Sequence, residues 1–102
     1  MNLNEYQEKS RATAVYADQK NIDGLVYSVL ALCGETGELA NKLKKHLRAG
    51  TTPDRAVLMD ELGDCFWYVA SVAQELGYTL EEVAQFNLDK LAKRHAEKKV
   101  TG

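Results

Sequence analysis

His46-Leu47-Arg48-Ala49-Gly50-Thr51-Thr52-Pro53-Asp54 separates two long segments of helical periodicity. Gly50 follows the last apolar residue of the upstream segment and is expected as a left-handed C-cap, the position that costs glycine least. Thr51-Thr52-Pro53-Asp54 then reads as a new helix start, with a hydroxyl cap, a proline in the first turn and an early acid. A connection this short makes its flanking helices antiparallel neighbours. The upstream helix is expected from about Leu25 to Leu47, with Val29, Leu32, Leu39, Leu43 and Leu47 on one arc. The downstream helix should reach Leu76 and stop at Gly77, with Leu58, Leu62, Cys65, Val69 and Leu76 in its arc.

Outside this hairpin the pattern stays helical. About Leu3 to Ala17 carries Tyr6, Ala12, Val15 and Tyr16 at roughly helical spacing, and a polar stretch around Lys20 to Gly24 interrupts it. Thr79-Leu80-Glu81-Glu82 is a capping box that opens a fourth helix running to about Lys98, with a flexible tail at 98–102. Composition agrees: Leu and Ala supply 25 of 102 residues against nine for Val and Ile, and there is one proline. Unbranched residues keep more side-chain freedom in helices, whereas strands favour β-branched ones. The expected architecture is a single all-α domain over 1–102, a four-helix, bundle-like protomer.

Thirteen basic and fifteen acidic residues give a net charge of −2. A sequence-independent nucleic-acid binder advertises a basic excess, so nucleic acid is not an expected partner. No apolar run approaches the roughly 18–20 residues that span a bilayer, and the opening residues lack a secretory signal. Cys33 and Cys65 sit in apolar patterns without metal spacing, read as small buried hydrophobes, and suit a reducing cytoplasm.

Two acidic pairs stand out, Glu35 with Glu38 and Glu61 with Asp64. Each has i, i+3 spacing, so its carboxylates share one helix face, at the margin of the apolar arc. Glu38 precedes Leu47 by nine residues and Glu61 follows Pro53 by eight. At about 1.5 Å rise per residue both lie roughly 12–14 Å from the hairpin turn, with Glu35 and Asp64 level one turn further along. Four carboxylates gathered at one height repel by several kcal/mol, which raised pKa values, basic partners or a hard divalent cation must offset. All-oxygen ligands suit Mg²⁺, Mn²⁺ or Ca²⁺, and Mg²⁺ leaves room for substrate phosphates. Ordinary solvated acids on helix faces are the alternative.

The order ExxE, helical hairpin, ExxD resembles the signature of MazG-like, all-α nucleoside triphosphate pyrophosphohydrolases, which is EExxE followed by ExxD. Glu35 and Glu38 match the second and third glutamates and Glu61 and Asp64 the ExxD; Gly34 stands where the first glutamate would be. The opening NEYQ, the WYVA after the ExxD, and Asn87-Leu-Asp-Lys90-Leu-Ala-Lys-Arg94 are similar to a short, stand-alone, phage-type subgroup, so the resemblance spans about residues 3–95. It implies hydrolysis of a nucleoside triphosphate to the monophosphate and pyrophosphate with Mg²⁺, Mn²⁺ being a possible substitute. It implies too that Glu35, Glu38, Glu61 and Asp64 are metal ligands, with Glu38 or Glu35 orienting the attacking water. Helices would assemble the protomer into a homo-oligomer, a dimer or tetramer with sites at subunit contacts.

Asn87, Lys90 and Arg94 share one stripe of the fourth helix, as a polar clamp on phosphates or as cations complementing the helix dipole. Lys42, one turn past Glu38, could touch a phosphate or pair along its helix. Trp67, one turn past Asp64, could stack on a base, although core or interface packing is the commoner use of tryptophan. Tyr68 falls on the acid side of the wheel, where it can hydrogen-bond a ligand or a carboxylate. Two rival functions are a helical interaction or dimerisation module and a noncatalytic nucleotide sensor.

Overall fold

A computed structural model of the chain describes residues 1–19 and 22–101, the last three by backbone alone. Four helices follow in order: α1 (Leu3–Ser10), α2 (Gly24–Ala49), α3 (Arg55–Leu76) and α4 (Leu80–Thr101), with two 3₁₀ turns, Arg11–Thr13 and Val15–Asp18, between α1 and α2. There is no strand among the described residues. Lys20 and Asn21, within the expected break, and Gly102, in the expected tail, lie outside the described residues. The helical backbone continues through Thr101, beyond the expected end at Lys98.

The hairpin forms as its punctuation requires. Gly50 at φ +69° and Gly77 at φ +80° end α2 and α3 in the left-handed region that only glycine enters cheaply. The cap of α3 is Asp54, whose carboxylate accepts the Ala56 amide at 3.0 Å, instead of a threonine hydroxyl. Pro53 accordingly precedes the cap and lies outside the first turn. Between Thr79 and Glu82 the capping box closes in both directions, at 3.0 and 3.1 Å.

The first helix is shorter than its pattern suggests. It stops at Ser10, whose hydroxyl donates to the Gln7 carbonyl at 2.7 Å, and Ala14 at ψ 72° turns the chain out of helical geometry. Local side-chain competition for backbone acceptors is what disfavours serine in helices. The following segment, Arg11 to Asp18, folds back as a strap carrying the buried Tyr16.

The small core lies where α1, α3 and the start of α4 meet, with Ala70, Ala73 and Leu80 buried and Tyr6 and Val69 packed on them. Gln7 is buried there, and its amide bridges three elements. It donates to Gln74 Oε1 and the Tyr78 carbonyl and accepts the Leu80 amide at 2.7 Å. Asn4, one turn earlier on α1, accepts the Glu81 amide at 3.2 Å. Two residues of α1 thereby satisfy orphan donors at the N-terminus of α4 and set its direction.

Much of the expected apolar arc has no cover within one protomer. Leu32, Leu39, Leu58 and Val69 are half-buried and Cys65 is buried, but Leu47, Leu62 and Leu76 are exposed, and so is Cys33, against expectation. The accessible surface is 7785 Å², where a compact chain of this mass exposes about 5,800 Å². The radius of gyration is 17.1 Å against roughly 13 Å for a compact domain of this length.

Candidate metal centre

α2 and α3 pack along their length in one antiparallel register. A Cβ on Gly24 would overlap the Glu75 carboxylate, and an equal length further along each helix Glu35 meets Asp64. The sequence therefore brings its acids level, as turn counting suggests. One carboxylate oxygen each from Glu35, Glu61 and Asp64 lies within 4.8 Å of the other two. Glu35 and Glu61 are half-buried and Asp64 is exposed.

Glu38 falls outside this trio, although its charge reaches Glu35. Its position on α2 explains that: it is exposed, on the solvent side of the face that Glu35 occupies. Burial first, and then the charges of Asp64, Glu61 and Glu38, push the Glu35 carboxyl above its ordinary value. Among the described residues no basic side chain figures in the charges that shift it. Burial likewise raises the Cys65 thiol, reinforced by Glu35, Asp64 and Glu61.

The donor set fits a hard divalent ion. Two oxygens bound to one Mg²⁺ lie about 3–4 Å apart, and to one Ca²⁺ up to about 5 Å, from bond lengths near 2.1 and 2.4 Å. Carboxylates already within 4.8 Å, two of them half-buried, need only side-chain adjustment to close on such an ion. No sulfur or imidazole joins the trio, which disfavours zinc or copper.

Beside the trio lies an open pocket of about 320 Å³, lined by Thr13, Glu35, Asp64, Trp67 and Tyr68. Trp67 and Tyr68 meet edge to face with ring centroids 4.8 Å apart. Trp67 is half-buried: it packs against Tyr16 at 6.3 Å, as expected of a structural tryptophan, and it also lines the pocket. Tyr68 does fall on the acid side. Burial, a hydrogen bond to Tyr27 and the nearby Glu35 charge push its phenol up to about 12, so it stays a neutral donor near neutral pH.

Sequence reasoning missed Thr13, Arg11, Tyr16 and Tyr27, which reach the site from the strap and the first turns of α2. Thr13 accepts the indole N–H of Trp67 at 3.0 Å across 54 residues of chain, and no local pattern signals such a contact. Asn87, Lys90 and Arg94 share the exposed stripe expected of them on α4 but do not line this pocket. Lys42 is half-buried on α2, one turn beyond Glu38, and is not a pocket residue either.

Comparison with known proteins adds three findings. Residues 27–98, which contain both acidic pairs and most of α4, match the MazG nucleotide pyrophosphohydrolase domain. The chain is 44% identical over 101 residues to the Gene 37 protein of Mycobacterium phage L5, covering 92% of this chain and 89% of that one. No solved structure matches.

Proposed function

The chain belongs to the MazG nucleotide pyrophosphohydrolase family, and from that premise we propose that it hydrolyses a nucleoside triphosphate, NTP or dNTP, to the monophosphate and pyrophosphate with Mg²⁺. The observation that carries this reading is the convergence of Glu35, Glu61 and Asp64, three hard ligands on adjacent helices, where burial and then the neighbouring charges push the Glu35 carboxyl up. A divalent ion there would neutralise triphosphate charge and lower the pKa of an attacking water. Positioning and charge stabilisation dominate phosphoryl transfer, so the protein need supply little covalent chemistry.

Each residue then has a task. Glu35, Glu61 and Asp64 hold the metal directly; Glu38 ligates through water or orients the nucleophile. The Tyr68 hydroxyl, its proton engaged with Tyr27, accepts a hydrogen bond from substrate, and Trp67 offers a face for the base. Lys42 meets the phosphates from α2.

Asn87, Lys90 and Arg94 clamp the phosphates of a site on a second copy of the chain. Two features support assembly. About 2,000 Å² of surface per protomer is exposed beyond that of a compact monomer, more than the roughly 800 Å² that each partner gives to an ordinary interface and in the range of obligate homodimers. α4 also carries large apolar side chains into solvent, Phe86 at 71% and Leu88 at 61% exposure. The working form is thus a homo-oligomer, dimer or tetramer, acting in the cytoplasm where nucleotide pools lie. Among the described residues no helix is long and apolar enough to cross a membrane.

The test is a panel of NTPs and dNTPs with Mg²⁺ or Mn²⁺, scored for monophosphate and pyrophosphate. Asp64→Asn and Glu61→Gln should each abolish turnover with helix content intact. Metal-dependent nucleotide binding without pyrophosphate release would replace the enzyme by a sensor, a reading that Gly34 favours by removing one motif glutamate.

A further inference from the structure

Arg11 sits in the turn after α1 with its guanidinium directed inward. Its hydrogen bonds go to neutral hydroxyls: Ser10 Oγ at 3.0 and 3.2 Å, Ser71 Oγ at 2.8 Å and Tyr16 Oη at 3.4 Å. Ser10, Tyr16 and Ser71 are buried. The guanidinium carbon also stands 5.1 Å from the centre of the Trp67 ring. A cation placed against an aromatic face, with its forked N–H groups donating to fixed acceptors, is set in orientation as well as energy. Ser71 passes the constraint on, donating to the Trp67 carbonyl at 3.2 Å, and Tyr16 donates to Glu75 Oε1 at 3.0 Å. Three of these contacts, Arg11 with Ser71, Arg11 with Trp67 and Tyr16 with Glu75, tie the strap to α3, the helix that carries Asp64 and Trp67.

We propose that Arg11 is a positioning residue for the nucleotide pocket: it pins the strap to α3 so that Thr13 holds the Trp67 indole as the wall beside Glu35 and Asp64. Specificity for the base is then set by a segment outside the acidic motifs. This inference rests on the reading that the pocket takes a nucleotide. Its chemical content is separate, because the indole N–H is occupied by Thr13 and the ring is left to recognise a ligand by its face. A base would be read there by stacking area, not by a hydrogen bond from the indole.

The chain has one tryptophan beside five tyrosines, so fluorescence excited beyond the tyrosine absorption band reports Trp67 alone. One neutral hydrogen bond biases a local equilibrium about five-fold. Thr13→Val and Arg11→Lys in the full-length chain should therefore raise the acrylamide quenching constant of Trp67, with helix content unchanged by circular dichroism. In the hydrolysis assay they should raise KM about three- to ten-fold, leave kcat within about two-fold and narrow the preference among bases. Thr13→Ser keeps the acceptor and should restore both readouts. Equal quenching in wild type and Thr13→Val overturns the proposal, as does a loss of kcat at unchanged KM. If wild type hydrolyses no triphosphate, the activity reading falls and quenching in the presence of Mn²⁺ decides the positioning role. Should Arg11→Lys fail to fold, Thr13→Val and its serine rescue decide.

Discussion

Replacing Glu35 by Gln should stabilise the metal-free protein while removing its response to metal. Glu35 repels both Glu61 and Asp64 across less than 4.8 Å. At that distance each pair costs about 1 kcal/mol in a water-like medium and about 3 kcal/mol at an effective dielectric near 20. Half-exposure favours the lower figure, so neutralising one member of two pairs gains on the order of 2 kcal/mol. For a domain of this size that raises Tm by roughly 9 °C. In saturating Mn²⁺ the order reverses, because wild type gains RT ln(1 + [L]/Kd), about 2.7 kcal/mol at a hundredfold excess over Kd, and the variant loses a ligand. The assay is thermal unfolding followed by circular dichroism, in chelator and in Mn²⁺, repeated in 1 M KCl, where the chelator gain should shrink. A Glu35→Gln protein melting at or below wild type in chelator, or keeping the full metal shift, would refute the idea that these acids are held together for a cation.

The raised Glu35 carboxyl gives a pH dependence of definite sign. In chelator the native state takes up a proton more readily than the unfolded chain, so the associated stability is complete below the ordinary glutamate value and is lost as pH rises through the elevated one. Melts of wild type and Glu35→Gln should converge as pH falls toward the ordinary glutamate range, and the Mn²⁺ shift should weaken as protons compete. Gly34 has open space where a side chain would go. Gly34→Glu should fold and gain up to about 0.5 kcal/mol of helix stability in chelator, checked by urea titration, and should tighten Mn²⁺ binding, checked by calorimetry. Ser28 is fully buried and its hydroxyl has no hydrogen-bond partner among the described residues, so Ser28→Ala should raise stability to urea by about 1 kcal/mol. Mixing inactive Glu61→Gln with Arg94→Ala protein should recover about a quarter of wild-type activity if α4 serves a partner's site in a two-fold dimer, and none if it serves its own.

The long hairpin was the most legible part of the molecule. Gly50 and Gly77 announce backbone conformations closed to other residues, and i, i+3 acids on helices of countable length fix which carboxylates come level. α1 was misjudged because helical spacing of Ala12, Val15 and Tyr16 says nothing of a serine hydroxyl that ends the helix, or of an arginine drawn toward a residue 60 positions away. Thr13 and Arg11 escaped notice for the same reason, since their partners are set by how the strap returns to α3. The Asn87, Lys90 and Arg94 stripe is readable as a stripe, but where it points depends on side chains of α1. Glu38 shows the limit of a motif: its spacing marks it as equivalent to Glu35, yet the two differ in burial, and Glu35, not Glu38, joins the trio.

The Gln7 bridge has a bearing on the order in which the chain acquires its shape. Its amide partners at Tyr78 and Leu80 are 71 and 73 residues downstream. During synthesis the amino-terminal helix therefore leaves the ribosome first and docks last, waiting for the α3–α4 corner, while the central hairpin can zip from neighbouring turns. Distant pairings are slow to close, and local ones lead. A fusion or truncation at the amino end thus perturbs the aim of the carboxy-terminal arm, at the far end of the gene.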